Sequence, residues 1–174
     1  MQESLLRSGE IDLIIGATRE DVEDLGVATE VLLQDQLALI VRKDHPLSKK
    51  KNLELSDLQD CGWILPAANT PSRKLFDEVL SKHNIQQPSN YIESSSLITI
   101  RGLLLESDYI ALLSEHQIYF DKLYGLLTTL PLELVNTFRP IGVTVNAQVE
   151  PSPAAKLFLE SLREVVQDWS QQGC

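Results

Sequence analysis

Only two cysteines, Cys61 and Cys174, occur in the 174 residues, with most of the chain between them. They form no CxxC pair and have no histidine nearby in sequence, so neither a disulfide framework nor a zinc-type site is expected. Two free thiols in a reducing compartment are. Long apolar runs are also lacking, and none approaches the ~20 residues that span a bilayer. Met1 to Arg19 carries polar residues through its first ten positions and has no basic start followed by an apolar stretch, as an export signal would. A cytoplasmic chain with no membrane partner is predicted.

Positive charge is scarce. Fifteen Lys and Arg against 25 Asp and Glu leave a formal net charge of −10. That balance opposes binding to phosphate backbones, whose unspecific affinity comes largely from Lys and Arg displacing counterions. The one basic run, Lys49-Lys50-Lys51 after His45-Pro46-Leu47, reads as a solvated loop. These residues are therefore not expected to bind DNA.

Catalytic signatures are missing as well. No Gly-x-Ser-x-Gly elbow is present, and the close pair Ser114 and His116 falls at a strand-helix junction without an evident acid partner. The carboxylates are scattered over helix surfaces, as in Asp77-Glu78 or Glu160 and Glu164, and mark no glycosidase-like pair. There is no GxGxxG and no phosphate-loop lysine. No catalytic residue, cofactor or metal ligand is predicted.

What is present is an ordinary globular mixture, 43% hydrophobic and 23% charged, able to bury a core. Leu5 to Gly16 reads as the last turn of a helix, a glycine stop and a short buried strand. Leu25 to Leu33 and Leu37 to Arg42 read as two further strands, the second nearly unbroken in apolar residues, as in a strand buried on both faces. From Leu55 onward strands and helices alternate, the pattern of a mainly parallel α/β sheet. A short helix at Ser56 to Gln59 leads to the strand Trp63 to Leu65. A helix then starts at Pro71, with Leu75, Phe76, Val79, Leu80 and His83 on one face. A strand at Tyr91 to Glu93 precedes a helix with Leu97, Ile100, Leu103 and Leu104 on one side, and Tyr109 to Leu113 is the next strand. A helix at Glu115 to Leu123 and strands at Leu126 to Leu130 and Ile141 to Val145 follow. Ser152 and Pro153 open a long helix whose apolar side is Ala155, Phe158, Leu159, Leu162, Val165, Val166 and Trp169. No floppy linker interrupts the chain, so two lobes would have to be joined by crossover strands.

In open α/β sheets, ligands sit beyond the carboxyl ends of strands, where helix starts present free N–H groups and a positive dipole end. Two such junctions are rich in small polar residues: Pro66 to Arg73, with Asn69, Thr70, Pro71 and Ser72, and Glu93-Ser94-Ser95-Ser96. Both could do no more than cap helices, but the serines outnumber what capping needs. Arg73 adds charge if it faces inward.

Together these residues resemble a known family. Leu6-Arg7-Ser8-Gly9-Glu10-Ile11-Asp12-Leu13-Ile14-Ile15-Gly16, Leu37 to Val41 with Asp44-His45-Pro46-Leu47, and Leu55-Ser56-Asp57-Leu58 ahead of Trp63-Ile64-Leu65 are similar to successive landmarks of LysR-type effector domains. Asn69 to Arg73, Ser96-Leu97, Ser107 to Ala111 and Ser152 to Ala155 are most similar to the galactose-binding-protein regulator subgroup. The resemblance implies a two-lobed type 2 periplasmic-binding-protein-like α/β fold, with residues 1–34 plus 140–174 in one lobe and 35–139 in the other. It implies that the first lobe is incomplete, and that the winged helix-turn-helix through which such regulators reach promoter DNA lies outside these residues. An effector cleft between the lobes would use Gly16, Ala17 and Thr18, Asn69 to Ser72, and Ser94 to Ser96. The partners it implies are a small acid, aromatic or sugar-derived effector and a second copy of the chain, as a dimer. A solute-binding protein of a transporter, a small α/β hydrolase and an oligomerisation module with an empty cleft are the rival readings.

Overall fold

The computed structural model of the chain describes residues 2–18 and 26–171. It divides into two compact units, Met1–Gln34 with Arg139–Cys174, and Asp35–Phe138. Cys174 and Leu25 lie outside the described residues.

In the first unit, α1 (Gln2–Ser8) is ended by Gly9, whose φ of +76° is the left-handed turn that releases a helix. The amide of Glu10 bonds back to the Leu5 carbonyl at 3.0 Å and closes that end. Strand β1 (Leu13–Ala17) then pairs antiparallel with β7 (Phe138–Asn146), Gly16 opposite Gly142. On its other side β7 meets β2 (Val27–Arg42). A Cβ on Gly142 would lie 2.3 Å from the Glu30 carbonyl oxygen and 2.7 Å from the Thr18 methyl, so only glycine allows that approach. Helix α5 (Pro153–Gln171) is capped by Ser152, whose Oγ accepts from the Ala155 amide at 3.2 Å. Its buried stripe is narrower than the sequence pattern predicts. Ala155 and Leu159 are buried and Leu162, Val166 and Trp169 half-buried, but Phe158 and Val165 are 49% and 52% exposed. The covered positions step by four and three residues, a single seam, and the two exposed ones flank it.

The second unit contains the rest of β2, β3 (Trp63–Leu65), β4 (Tyr91–Glu93), β5 (Ile110–Ser114) and β6 (Leu127–Thr129). Strand order is β6-β2-β5-β3-β4, with β3 parallel to both β4 and β5 and β2 antiparallel to both β5 and β6. The sheet is therefore mixed rather than mainly parallel. The reason is β2, which enters directly from the first unit without a helical crossover and so runs against its neighbours. The two strands predicted at 25–33 and 37–42 are one 16-residue strand. Gln34-Asp35-Gln36 between them holds no glycine or proline to break it.

Apolar residues of β2 alternate between two cores, as the pleat dictates. Leu37, Leu39 and Val41 join Trp63, Leu65, Phe76, Val79 and Leu80 on the face covered by α2 (Pro71–Lys82). Ala38 and Ile40 join Ile64, Ile100, Leu104, Ala111 and Leu113 on the face covered by α3 (Leu97–Leu105). The Trp63 and Phe76 rings lie 5.2 Å apart, and the Trp63 indole donates to the Leu58 carbonyl. The segment predicted helical at 115–123 is a 3-10 turn, Glu115–Ile118, followed by the short α4 (Tyr119–Leu123), and Leu55–Leu58 is a 3-10 turn as well. His83, predicted on one face of α2 with Leu75, Phe76, Val79 and Leu80, is its exposed C-cap. Among the described residues no helix is long and apolar enough to cross a membrane.

Candidate functional site

Strands β3 and β4 run parallel with Leu65 opposite Glu93, so the segments leaving them emerge side by side at one edge of the second unit. The Ser94 amide donates to the Leu65 carbonyl at 3.1 Å and ties the two exits together. From these exits start α2 and α3. Thr70 caps the first: its Oγ1 donates to the Ala67 carbonyl at 2.7 Å and accepts from the Arg73 amide at 3.4 Å, with Pro71 in the first helical position. Ser96 caps the second and accepts from both the amide and the hydroxyl of Thr99, at 3.4 and 3.1 Å. Ser94 Oγ accepts from the Ser96 amide. The exposed side chains of Asn69 and Ser95 have no hydrogen-bond partner among the described residues. Polar capacity beyond capping is thus concentrated beside two helix starts.

Arg73 does not face this edge. Only 3% exposed, it binds Asp77 through Nε at 2.9 Å, reaches the Pro66 carbonyl and Gln87 Oε1, and lies 5.1 Å from the centre of the Tyr91 ring. Its charge holds the loop after β3 onto its own helix.

At the end of β5, the structure supplies the acid that sequence did not reveal beside Ser114 and His116. Asp35, on β2 and 2% exposed, accepts a 2.5 Å hydrogen bond from Ser114 Oγ and lies 3.2 Å from His116 Nδ1. The connectivity is serine to carboxylate to imidazole. A nucleophilic triad requires serine to imidazole to carboxylate. The Ser114 hydroxyl gives its proton to Asp35 and accepts from the His116 amide, so the cluster fastens the turn after β5 instead of activating Ser114. The neighbouring Glu115 is partly buried, which works to raise its pKa. Hydrogen bonds from Lys122 and Thr129 outweigh this and hold the carboxyl below its usual range, with Lys122 and His116 adding charge attraction. It is fixed as a carboxylate.

In the first unit, Gly16 and Ala17 pair with β7, and Thr18 donates to the Pro140 carbonyl through its amide at 2.9 Å and its hydroxyl at 3.4 Å. The ten sequence-predicted residues thus fall into one group on the first unit and one on the second, where Asn69 to Ser72 and Ser94 to Ser96 come together.

A sequence profile of the LysR substrate binding domain matches residues 1–167. The chain belongs to this family. It is 34% identical over 161 residues to the HTH-type transcriptional regulator GalR of Pseudomonas putida, across 92% of this chain and 40% of that protein. Against PcaQ of Agrobacterium fabrum it is 28% identical over 159 residues, 91% of this chain and 51% of the relative. The chain therefore spans about half the length, or less, of these curated relatives. Among solved structures, the CcmR regulatory domain of Synechocystis in complex with 2-PG matches at a TM-score of 0.71 with 22% identity, covering 95% of this chain and 78% of that one. The effector binding domain of QuiR in complex with shikimate matches at 0.69 with 21% identity, covering 96% and 77%. The LysR domain here thus has the type 2 periplasmic-binding-protein-like α/β fold. Its relatives are transcriptional regulators, which disfavours the transporter and hydrolase readings.

The structure brings together the two junctions of the second unit that the sequence singled out, and it shows two features that the sequence did not reveal. Asp35 left no signal, because it falls between the two strands predicted at 25–33 and 37–42. Arg73 left none either, because a helical arginine at the third position can turn to either side.

Proposed function

We propose that this chain is the effector-sensing part of a cytoplasmic LysR-type transcriptional regulator and carries out no catalysis. The observation that supports this most is the pairing of the α2 and α3 starts at the adjacent ends of β3 and β4, with Asn69 and Ser95 exposed and unengaged beside them. Aligned helix N–H groups and hydroxyls grip a small oxygen-rich or anionic molecule without any group positioned to break a bond. The complexes of CcmR with 2-PG and QuiR with shikimate support a small-molecule effector here too, an acid, aromatic or sugar-derived metabolite. Such a ligand regulates by binding one conformation or assembly better than another. Gly16, Ala17 and Thr18 remain candidates on the family pattern alone. Promoter contact in the whole regulator is proposed to lie outside this chain, whose charge of −10 opposes it.

A thermal-shift screen of small acids, aromatic compounds and sugars identifies the effector, and calorimetry on Thr70→Ala and Ser96→Ala then tests the site. Each variant is expected to weaken effector binding roughly ten-fold, the worth of one charge-assisted hydrogen bond. The accompanying loss of stability is about 1 kcal/mol, that of a helix cap. Unchanged affinity in both overturns the assignment.

We further propose that the chain forms a homodimer, since large apolar side chains such as Ile98 at 85% and Phe120 at 64% exposure stand on its surface. Light scattering after size exclusion should give twice 19.5 kDa. A mass that stays at the single-chain value on concentration rejects the dimer.

A further inference from the structure

The second unit has another opening, at the edge opposite the helix starts. A cavity of about 370 Å³ lies where the chain leaves β2 and where it enters β3 and β5. Five residues of β5, roughly 17 Å of extended chain, separate this edge from the other. The cavity is of a size that holds small organic ligands.

Its walls divide into two kinds. Pro46, Leu47 and the Tyr109 ring are apolar, whereas Asp57, Asp60 and Asp108 are acidic. The ring packs against the backbone at residue 62 because that residue is glycine: a Cβ there would sit 2.0 Å from Tyr109 Cε1. No lysine or arginine lines the space. Asp57 and Asp108 have counter-ions outside the lining, Lys50 at 2.6 Å and Arg42 at 2.7 Å, while Asp60 has no ion pair or hydrogen bond among the described residues. His45 does not offset the charge, because its Nδ1 accepts from the Leu47 amide and its Nε2 donates to the Asp108 carbonyl, an arrangement that needs the neutral ring. The Cys61 thiol reports the field inside. Burial pushes its pKa up first, and Asp60 and Asp108 push it further in the same direction. The carboxylates are nevertheless too dispersed for a metal: no three acidic, His or Cys side chains among the described residues are placed to hold one. A cation that suits this space must therefore bring its own apolar body to Tyr109 and Leu47.

We propose that this cavity binds a small organic cation, an ammonium on an apolar skeleton of arylalkylamine size, with its charge toward Asp60 and its body against Pro46, Leu47 and Tyr109. The aromatic face adds to the attraction for a cation. This site is separate from the effector-binding edge and stands whether or not that assignment holds.

Calorimetry of the 174-residue chain with phenethylamine, 2-phenylethanol and phenylacetate tests it. Phenethylamine is expected to bind in the millimolar range or tighter, and the neutral and anionic analogues roughly ten-fold more weakly or not at all. Asp60→Asn, an exposed change that keeps the side chain's shape, should weaken the amine roughly five-fold, the scale of a solvent-accessible charge pair. Gly62→Ala should abolish binding by displacing the ring. Should that variant not fold, Asp60→Asn carries the test. Thr70→Ala should bind the amine like the parent. Equal binding of the alcohol, no effect of Asp60→Asn, or loss of the amine in Thr70→Ala would each overturn the proposal.

Discussion

Trp63→Ala is expected to destabilise the chain by about 4 kcal/mol in urea unfolding, the scale for a large aromatic removed from a closed core. Trp63 is 2% exposed, packs against Phe76 and lies among Leu37, Leu39, Leu58, Leu65 and Ile110. Those neighbours belong to three paired strands, a capped helix and the 3-10 turn before β3, so they cannot collapse into the space left. The indole bond to the Leu58 carbonyl is lost as well, which frees the turn before β3. At this chain length the melting temperature should fall by roughly 8–16 °C. Trp63→Phe keeps most of the volume and should cost less than half as much. A loss below about 1 kcal/mol for the alanine variant would mean that this core is not closed as described.

Arg73→Ala is the second large effect, with an expected loss of about 3 kcal/mol, the lower end for breaking a buried pair because Asp77 keeps some access to water. The guanidinium satisfies Asp77, the Pro66 carbonyl and Gln87 at once and lies over Tyr91. Arg73→Lys should recover little of this, since an ammonium cannot reproduce the planar fork. The loop from Pro66 to Thr70 should loosen, so effector affinity falls only through disorder of that loop. A variant that lost effector affinity while unfolding at the parent urea concentration would instead make Arg73 a ligand-binding group.

How far the sequence revealed this molecule depends on the range of the forces at each point. Gly9, Thr70-Pro71 and Ser152-Pro153 mark element ends through local backbone chemistry, and the structure places breaks and starts at these residues. The unbroken Leu37 to Val41 run correctly indicated a strand buried on both faces. What was not legible depended on distant partners. The continuity of β2 through Gln34-Asp35-Gln36 rests on pairing with strands about 75 and 100 residues later. The exposure of Phe158 and Val165 depends on how much sheet is available for α5 to cover. The same holds at the site. Caps are local and were found, whereas the bond from Ser114 to Asp35 spans 79 residues and the direction of Arg73 was decided by Gln87 and Tyr91.

The division of the chain also sets an order of assembly during synthesis. The second unit is one uninterrupted stretch, Asp35–Phe138, complete once its last residue clears the ribosome. The first unit brackets it, because its middle strand, Phe138–Asn146, and its long helix follow the second unit in the chain. Until they arrive, Leu13–Ala17 lacks the strand it pairs with among the described residues, and Val27–Gln34 has only one end anchored, in the folded second unit. Of the two units, the second is therefore complete before the first. For the time needed to make about a hundred residues, Leu13–Ala17 waits for its partner strand, and a strand edge left waiting is the kind of surface that chaperones and neighbouring chains bind.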